Sequence, residues 1–138
     1  GYGCTVHAGE VVGPESVWAA IDHLPVTRIG HGVRSADDPR LLETLAKRNI
    51  VLEVCPGSNV ALRLYPDRAG HPLHKLIAAG VTVTLNSDDP PFFHTTLGTE
   101  YDKAGLDDRA LRGITRAAIE ASFADAALKK KLLEEIGR

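Results

Sequence analysis

The chain has 138 residues, 43% of them apolar, with a formal net charge of −2. That length suits one domain with a substantial core, and the near-neutral balance gives no electrostatic footprint for a nucleic-acid backbone or an anionic membrane. No apolar run approaches the ~20 residues that span a bilayer, and Gly1-Tyr2-Gly3-Cys4 lacks the basic start and apolar centre of a signal peptide. Two cysteines, Cys4 and Cys55, stand outside any Cys-x-x-Cys pair. Both read as small buried apolar side chains, and a reducing cytoplasm is the expected location.

Along the chain, strands and helices are expected to alternate. Cys4-Thr5-Val6 is strand-like and leads into His7. Pro14 to His23 reads as a helix with Pro14 in its first turn and Val17, Trp18 and Ile21 on one face. Val26 to Ile29 is a second strand, running into Gly30-His31-Gly32. Asp38-Pro39 opens a helix through about Arg48, with Leu41, Leu42, Leu45 and Ala46 as its apolar stripe.

Ile50 to Val54 is a third strand, followed by Cys55-Pro56-Gly57-Ser58-Asn59. Residues from about Val60 to Gly70 show no period and read as a loop or lid. His71-Pro72 begins a helix through Ala79, with Leu73, Leu76 and Ile77 buried and Gly80 ending it. Val81 to Leu85 is a strongly β-branched fourth strand. Helices over about Asp107 to Ala121 and Asp125 to Ile136 close the chain.

Strand-helix-strand alternation implies parallel pairing with helices outside, in one α/β domain covering residues 1–138. A closed barrel needs eight strands and typically ~250 residues. Four strands therefore fit either a small open sheet or the C-terminal half of a TIM-type (β/α)8 barrel with outer helices. The site residues favour the half-barrel, because reactive groups at successive strand ends are how such a barrel builds a catalytic rim.

His7, His31 and the paired Asp88-Asp89 each follow a short apolar run. Neutral imidazole and carboxylate oxygen are good zinc ligands, which makes His7 and Asp88 the ligand candidates. A bound metal can bring the pKa of its water from ~15.7 to about 7. Glu10, where the chain turns from strand to helix, could hold a proton and act as a general acid. Asp37-Asp38-Pro39 repeats the letters of Asp88-Asp89-Pro90 but follows no β-branched strand, so Asp38 reads as a helix cap.

The bland readings are close at hand for the other groups. His71 is expected at a helix entry, and His23, His74 and His94 on the surface or in loops. Ser58 and Asn59 either shape a pocket floor or serve the turn. Phe92 and Phe93 fit an apolar purine pocket or a subunit contact equally well.

His7-Ala8-Gly9-Glu10, Arg28-Ile29-Gly30-His31-Gly32, Cys55-Pro56-Gly57-Ser58-Asn59, His71-Pro72-Leu73 and Ser87-Asp88-Asp89-Pro90 occur in the order found in adenosine deaminases. With Glu100-Tyr101 and Ser122-Phe123, essentially the whole chain resembles that family of the metal-dependent amidohydrolase superfamily. The resemblance implies zinc-dependent hydrolysis of adenosine to inosine and ammonia, with adenine or a modified 6-aminopurine as the alternative. It makes His7 and Asp88 metal ligands and Glu10 the acid that protonates the purine ring nitrogen. It makes His31 the group orienting hydroxide, and Asp89 and Gly9 substrate-binding residues.

One departure stands out. The family carries a His-x-His pair on its first barrel strand, and this sequence has none. The 138 residues alone are therefore expected to bind zinc poorly and to be inactive. The exposed half-barrel edge is expected to invite self-association. The competing classes are another metal-dependent amidohydrolase, with no particular use for Glu10, and a non-catalytic binding fragment.

Overall fold

The computed structural model describes residues 3–137. Strands β1 (Thr5–Ala8), β2 (Arg28–His31), β3 (Val51–Val54) and β4 (Val83–Leu85) form one sheet in the order β1-β2-β3-β4, every neighbouring pair parallel. That sequential order decides the architecture. Right-handed crossovers that always step the same way leave their helices on one face of the sheet. A doubly wound open sheet would reverse its strand order, and this one does not. The four strands form half the wall of a (β/α)8 barrel.

The register separates two faces. Val6, Ile29, Leu52 and Val83 align across the sheet. Ile29, Leu52 and Val83 join one core with side chains of α1 (Pro14–His23), α2 (Pro39–Arg48), α4 (Leu73–Ala78) and α7 (Asp108–Ala121), among them Val17, Leu41, Leu45, Leu76 and Ile114. The alternate row is His7, Gly30, Glu53 and Thr84. Thr5 Oγ1 donates to Glu53 Oε2 at 2.9 Å, and Arg28 Nε lies 3.3 Å from Glu53 Oε1, which puts these three side chains on the barrel-interior face.

Local chemistry explains the helix boundaries. Pro14 and Pro39 occupy first-turn positions, where a missing N–H costs nothing. Asp38 caps α2 as expected, accepting the N–H groups of Arg40 and Leu41. Asn49 then ends α2 in the left-handed region at φ 52°. Trp18 does more than pack: its indole N–H donates to Asp38 Oδ2 at 2.8 Å, tying α1 to the cap of α2.

Several boundaries differ from the sequence expectation. β1 extends through His7 to Ala8, and β2 through Gly30 to His31, because these residues pair with one another across the ladder. β4 is shorter than the apolar run that suggested it. The expected loop begins only at Leu62, since α3 (Pro56–Ala61) forms first. Two further short helices, α5 (Pro90–Phe93) and α6 (Leu97–Asp102), fill the connection to α7, and α8 (Ala126–Ile136) follows. Helices of four to six residues are too short to show a 3.6-residue period in sequence. Among the described residues no helix is long and apolar enough to cross a membrane.

Candidate active site

The site is assembled at strand ends. His7 pairs with Gly30 in the β1–β2 ladder. A Cβ on Gly30 would stand 3.1 Å from the His7 ring, so the imidazole lies against a bare Cα. At the end of β2 and just past the other strands the backbone turns through the left-handed region, at Gly9 (φ 64°), His31 (φ 61°), Gly32 (φ 66°) and Asp88 (φ 56°). For a side-chain-bearing residue that region costs ~1–2 kcal/mol, and such strain collects at functional sites. Gly9 is required for space as well, since a Cβ there would meet Val17 Cγ2 at 2.4 Å.

His31 is the centre of the cluster and is 2% exposed. Its ring centroid lies 5.1 Å from that of His7. Its Nδ1 is 3.4 Å from Glu10 Oε1, and its Nε2 is 3.7 Å from Asp88 Oδ2. Burial lowers the His31 pKa from its ordinary value, against the pull of Glu10 and Asp88, so the ring is neutral at pH 7. His7, His31 and Asp88 line a cleft of about 340 Å³ with Gly30, Glu53 and Asn86.

The other two expected site residues sit differently. Gly9 has its N–H on Ser16 Oγ at 2.8 Å and its carbonyl on the Arg34 N–H at 2.8 Å. Its backbone is engaged within the chain, in the turn that follows β1. Asp89 is exposed and heads α5, its carbonyl accepting from Phe92 and Phe93.

Ligand atoms of His31, Cys55 and Asp88 fall within 4.8 Å of one another. Cys55 is a poor donor there. Its Sγ donates to the Glu53 carbonyl at 3.5 Å, and burial, reinforced by Asp88 and Glu10, pushes the thiol far above its usual range. His7 and Asp88 remain, an imidazole and a carboxylate on one cleft, and that donor chemistry suits zinc. They would be part of the three protein ligands that a catalytic zinc takes.

Sequence reasoning passed over a buried layer behind the site. Asn59 is fully buried and sends its Nδ2 to Glu10 Oε1 at 3.2 Å, with His31 Nδ1 3.4 Å away. His71, expected only at a helix entry, does accept the Leu73 N–H at 3.2 Å, and its Nε2 reaches Asn59 Oδ1 at 3.1 Å. Arg34 Nε donates to the Glu10 carbonyl at 3.3 Å. Glu100, 0% exposed, accepts from both terminal nitrogens of Arg68, from the Gly57 N–H and from the Thr95 hydroxyl. The signal for Asn59 and His71 was their place in the Cys-Pro-Gly-Ser-Asn and His-Pro-Leu motifs.

The family model described as adenosine deaminase matches residues 1–138. An adenine deaminase of Rhizobium meliloti (strain 1021) is 54% identical over 137 residues, covering 96% of this chain and 42% of its own length. Among solved structures, the adenine deaminase from Arthrobacter aurescens superposes with a TM-score of 0.93 at 34% identity, over 96% of this chain and 42% of that one. An amidohydrolase from Burkholderia ambifaria with bound zinc matches with a TM-score of 0.88 at 28% identity, over 99% and 40%. The chain thus spans about two-fifths of the length of the relatives it matches.

Proposed function

The chain belongs to the adenosine deaminase family, and on that premise we propose that the protein carrying it hydrolyses a 6-aminopurine, adenine before adenosine, to the 6-oxopurine and ammonia. One observation carries this reading: the buried His31 ring lies between Glu10 on its Nδ1 side and Asp88 on its Nε2 side. An acid, a neutral imidazole and a second carboxylate in one cleft can divide the proton transfers of hydrolysis among them.

The chemistry runs as an addition and an elimination. Water oxygen bonds to the amine-bearing ring carbon, breaking the ring's conjugation. Glu10 gives its proton to the adjacent ring nitrogen, which stores the displaced electron pair in a neutral tetrahedral adduct. Transfer of this kind contributes about 10²–10⁴-fold. The C–N bond then breaks: the amine takes one proton of the added water and leaves as ammonia, and the other proton restores Glu10. A zinc ion held by His7, Asp88 and ligands from elsewhere in the protein would supply water ionised near pH 7. His31 orients the attacking oxygen, and Asp89 is offered as the partner of the purine's five-membered ring.

Adenine is placed first because the relative at 54% identity and the structure with a TM-score of 0.93 are both described as adenine deaminases. Adenosine, expected from the motif resemblance, is retained by the family description alone. Steady-state rates of the intact protein on both compounds decide between them. A higher kcat/KM for adenine is expected, and a higher one for adenosine would reverse the order.

A further inference from the structure

Asn59 and His71 are buried, polar and one layer behind the cleft. We propose that Leu73, His71 and Asn59 form a one-way hydrogen-bond relay that sets the His31 ring as its Nε2–H tautomer and holds Glu10 in register with it. Asn59 and His71 are then positioning residues, a role that rests on the reading of Glu10 and His31 above.

The direction of the relay follows from one group that cannot reverse. The Leu73 backbone N–H is a donor only, and it points at His71 Nδ1 from 3.2 Å. That nitrogen must accept. Burial and the nearby Arg68 push the His71 pKa down to about 4, so the ring is neutral and its single proton is on Nε2. Nε2–H donates to Asn59 Oδ1 at 3.1 Å, which fixes the amide's orientation. Both Nδ2 hydrogens then point forward, one to Glu10 Oε1 at 3.2 Å and one to His31 Nδ1 at 3.4 Å.

His31 has two neutral forms, and their contacts differ. With the proton on Nδ1, it faces an Asn59 N–H, and the bare Nε2 faces Asp88 Oδ2. With the proton on Nε2, Nδ1 accepts from Asn59 and Nε2–H points at the Asp88 carboxylate. The first form gains only a donation to Glu10 Oε1 at 3.4 Å. The second gives Nδ1 a donor in Asn59, turns the Nε2–H dipole toward the Asp88 carboxylate 3.7 Å away, and leaves the Glu10 carboxyl tethered through one oxygen. Its other oxygen is free to carry the proton for the substrate.

Two-bond 1H–15N correlation spectra of the intact protein, labelled at histidine, read the tautomer directly. In the wild type His31 is expected with Nε2 protonated and Nδ1 bare. Asn59→Leu is expected to move the proton to Nδ1, toward Glu10. In Asn59→Leu and His71→Leu, kcat should fall ~10–100-fold with KM little changed. His71→Gln, whose amide can both accept from Leu73 and donate to Asn59, should recover most of that loss.

A wild-type His31 protonated on Nδ1 would overturn the relay, as would a tautomer unmoved by Asn59→Leu. Equal losses in His71→Gln and His71→Leu would do the same. If Asn59→Leu does not fold, the wild-type spectrum and the His71 pair still decide. Normal deamination with the wrong tautomer sinks the relay alone, whereas the expected tautomer without deamination sinks the functional reading alone.

Discussion

Gly30 and His7 face each other across the β1–β2 ladder, and a Cβ on Gly30 would press to 3.1 Å from the imidazole. The absent side chain is what lets the ring lie flat on the barrel-interior face. Gly30→Ala should leave folding stability unchanged or raise it by up to ~1 kcal/mol, because alanine costs less backbone entropy in a strand. The ring must give by a few tenths of an ångström, so metal content and kcat of the intact protein should fall. Thermal melting beside metal analysis checks this. A variant with full metal content and full rate would remove the role given to this contact.

Glu10→Gln removes the acid while keeping an acceptor oxygen for the Asn59 amide. In the intact protein, deamination of adenine should fall ~10²–10⁴-fold, with the melting temperature little changed. Near-normal turnover would favour an amidohydrolase that has no use for protonation of a ring nitrogen.

The ligand assignment separates two overlapping sets. If His7 and Asp88 hold the metal, His7→Ala and Asp88→Ala should each lose most of the bound zinc, measured by elemental analysis of the intact protein. Cys55→Ser should keep it, because the thiol is buried and held protonated. Zinc loss in Cys55→Ser matching that in His7→Ala would move the site to the His31, Cys55 and Asp88 group.

Glu100 is the buried anchor behind the cleft. Burial alone would raise its pKa, but hydrogen bonds from Arg68 and Thr95 outweigh this and hold it below its ordinary value of 4.5. A carboxylate depressed in the folded state adds stability above its unfolded pKa and loses it as pH falls through the folded value. Stability should therefore decline below about pH 4.5 more steeply in the wild type than in Glu100→Gln. Arg68→Ala at neutral pH leaves the carboxylate buried without its partner and should cost about 3 kcal/mol by urea unfolding.

The legible part of this protein was the part written in local chemistry. Pro14, the Asp38 cap and the apolar spacing of Val17, Leu41 and Leu45 announce their helices within a few residues. The β-branched and apolar runs announce the strands. His7, His31 and Asp88 stood out because each follows such a run, and Glu10 because it lies in the turn after His7. Short helices such as Pro56–Ala61 left no period to read. Asn59 remained open between floor and turn because its partners lie 49 and 28 residues away.

The sequence by itself determined the alternation of strand and helix and the identity of the reactive groups, since both follow from side chains acting on their own few neighbours. Tertiary structure alone decided that the sheet winds in one direction as a barrel wall. It also decided that the Cys55 thiol is buried and donates to the Glu53 carbonyl, and that the Leu73 N–H, His71 and Asn59 line up behind Glu10 and His31. Those outcomes depend on which distant segments share a face and which groups lose water. Only the folded chain brings them together.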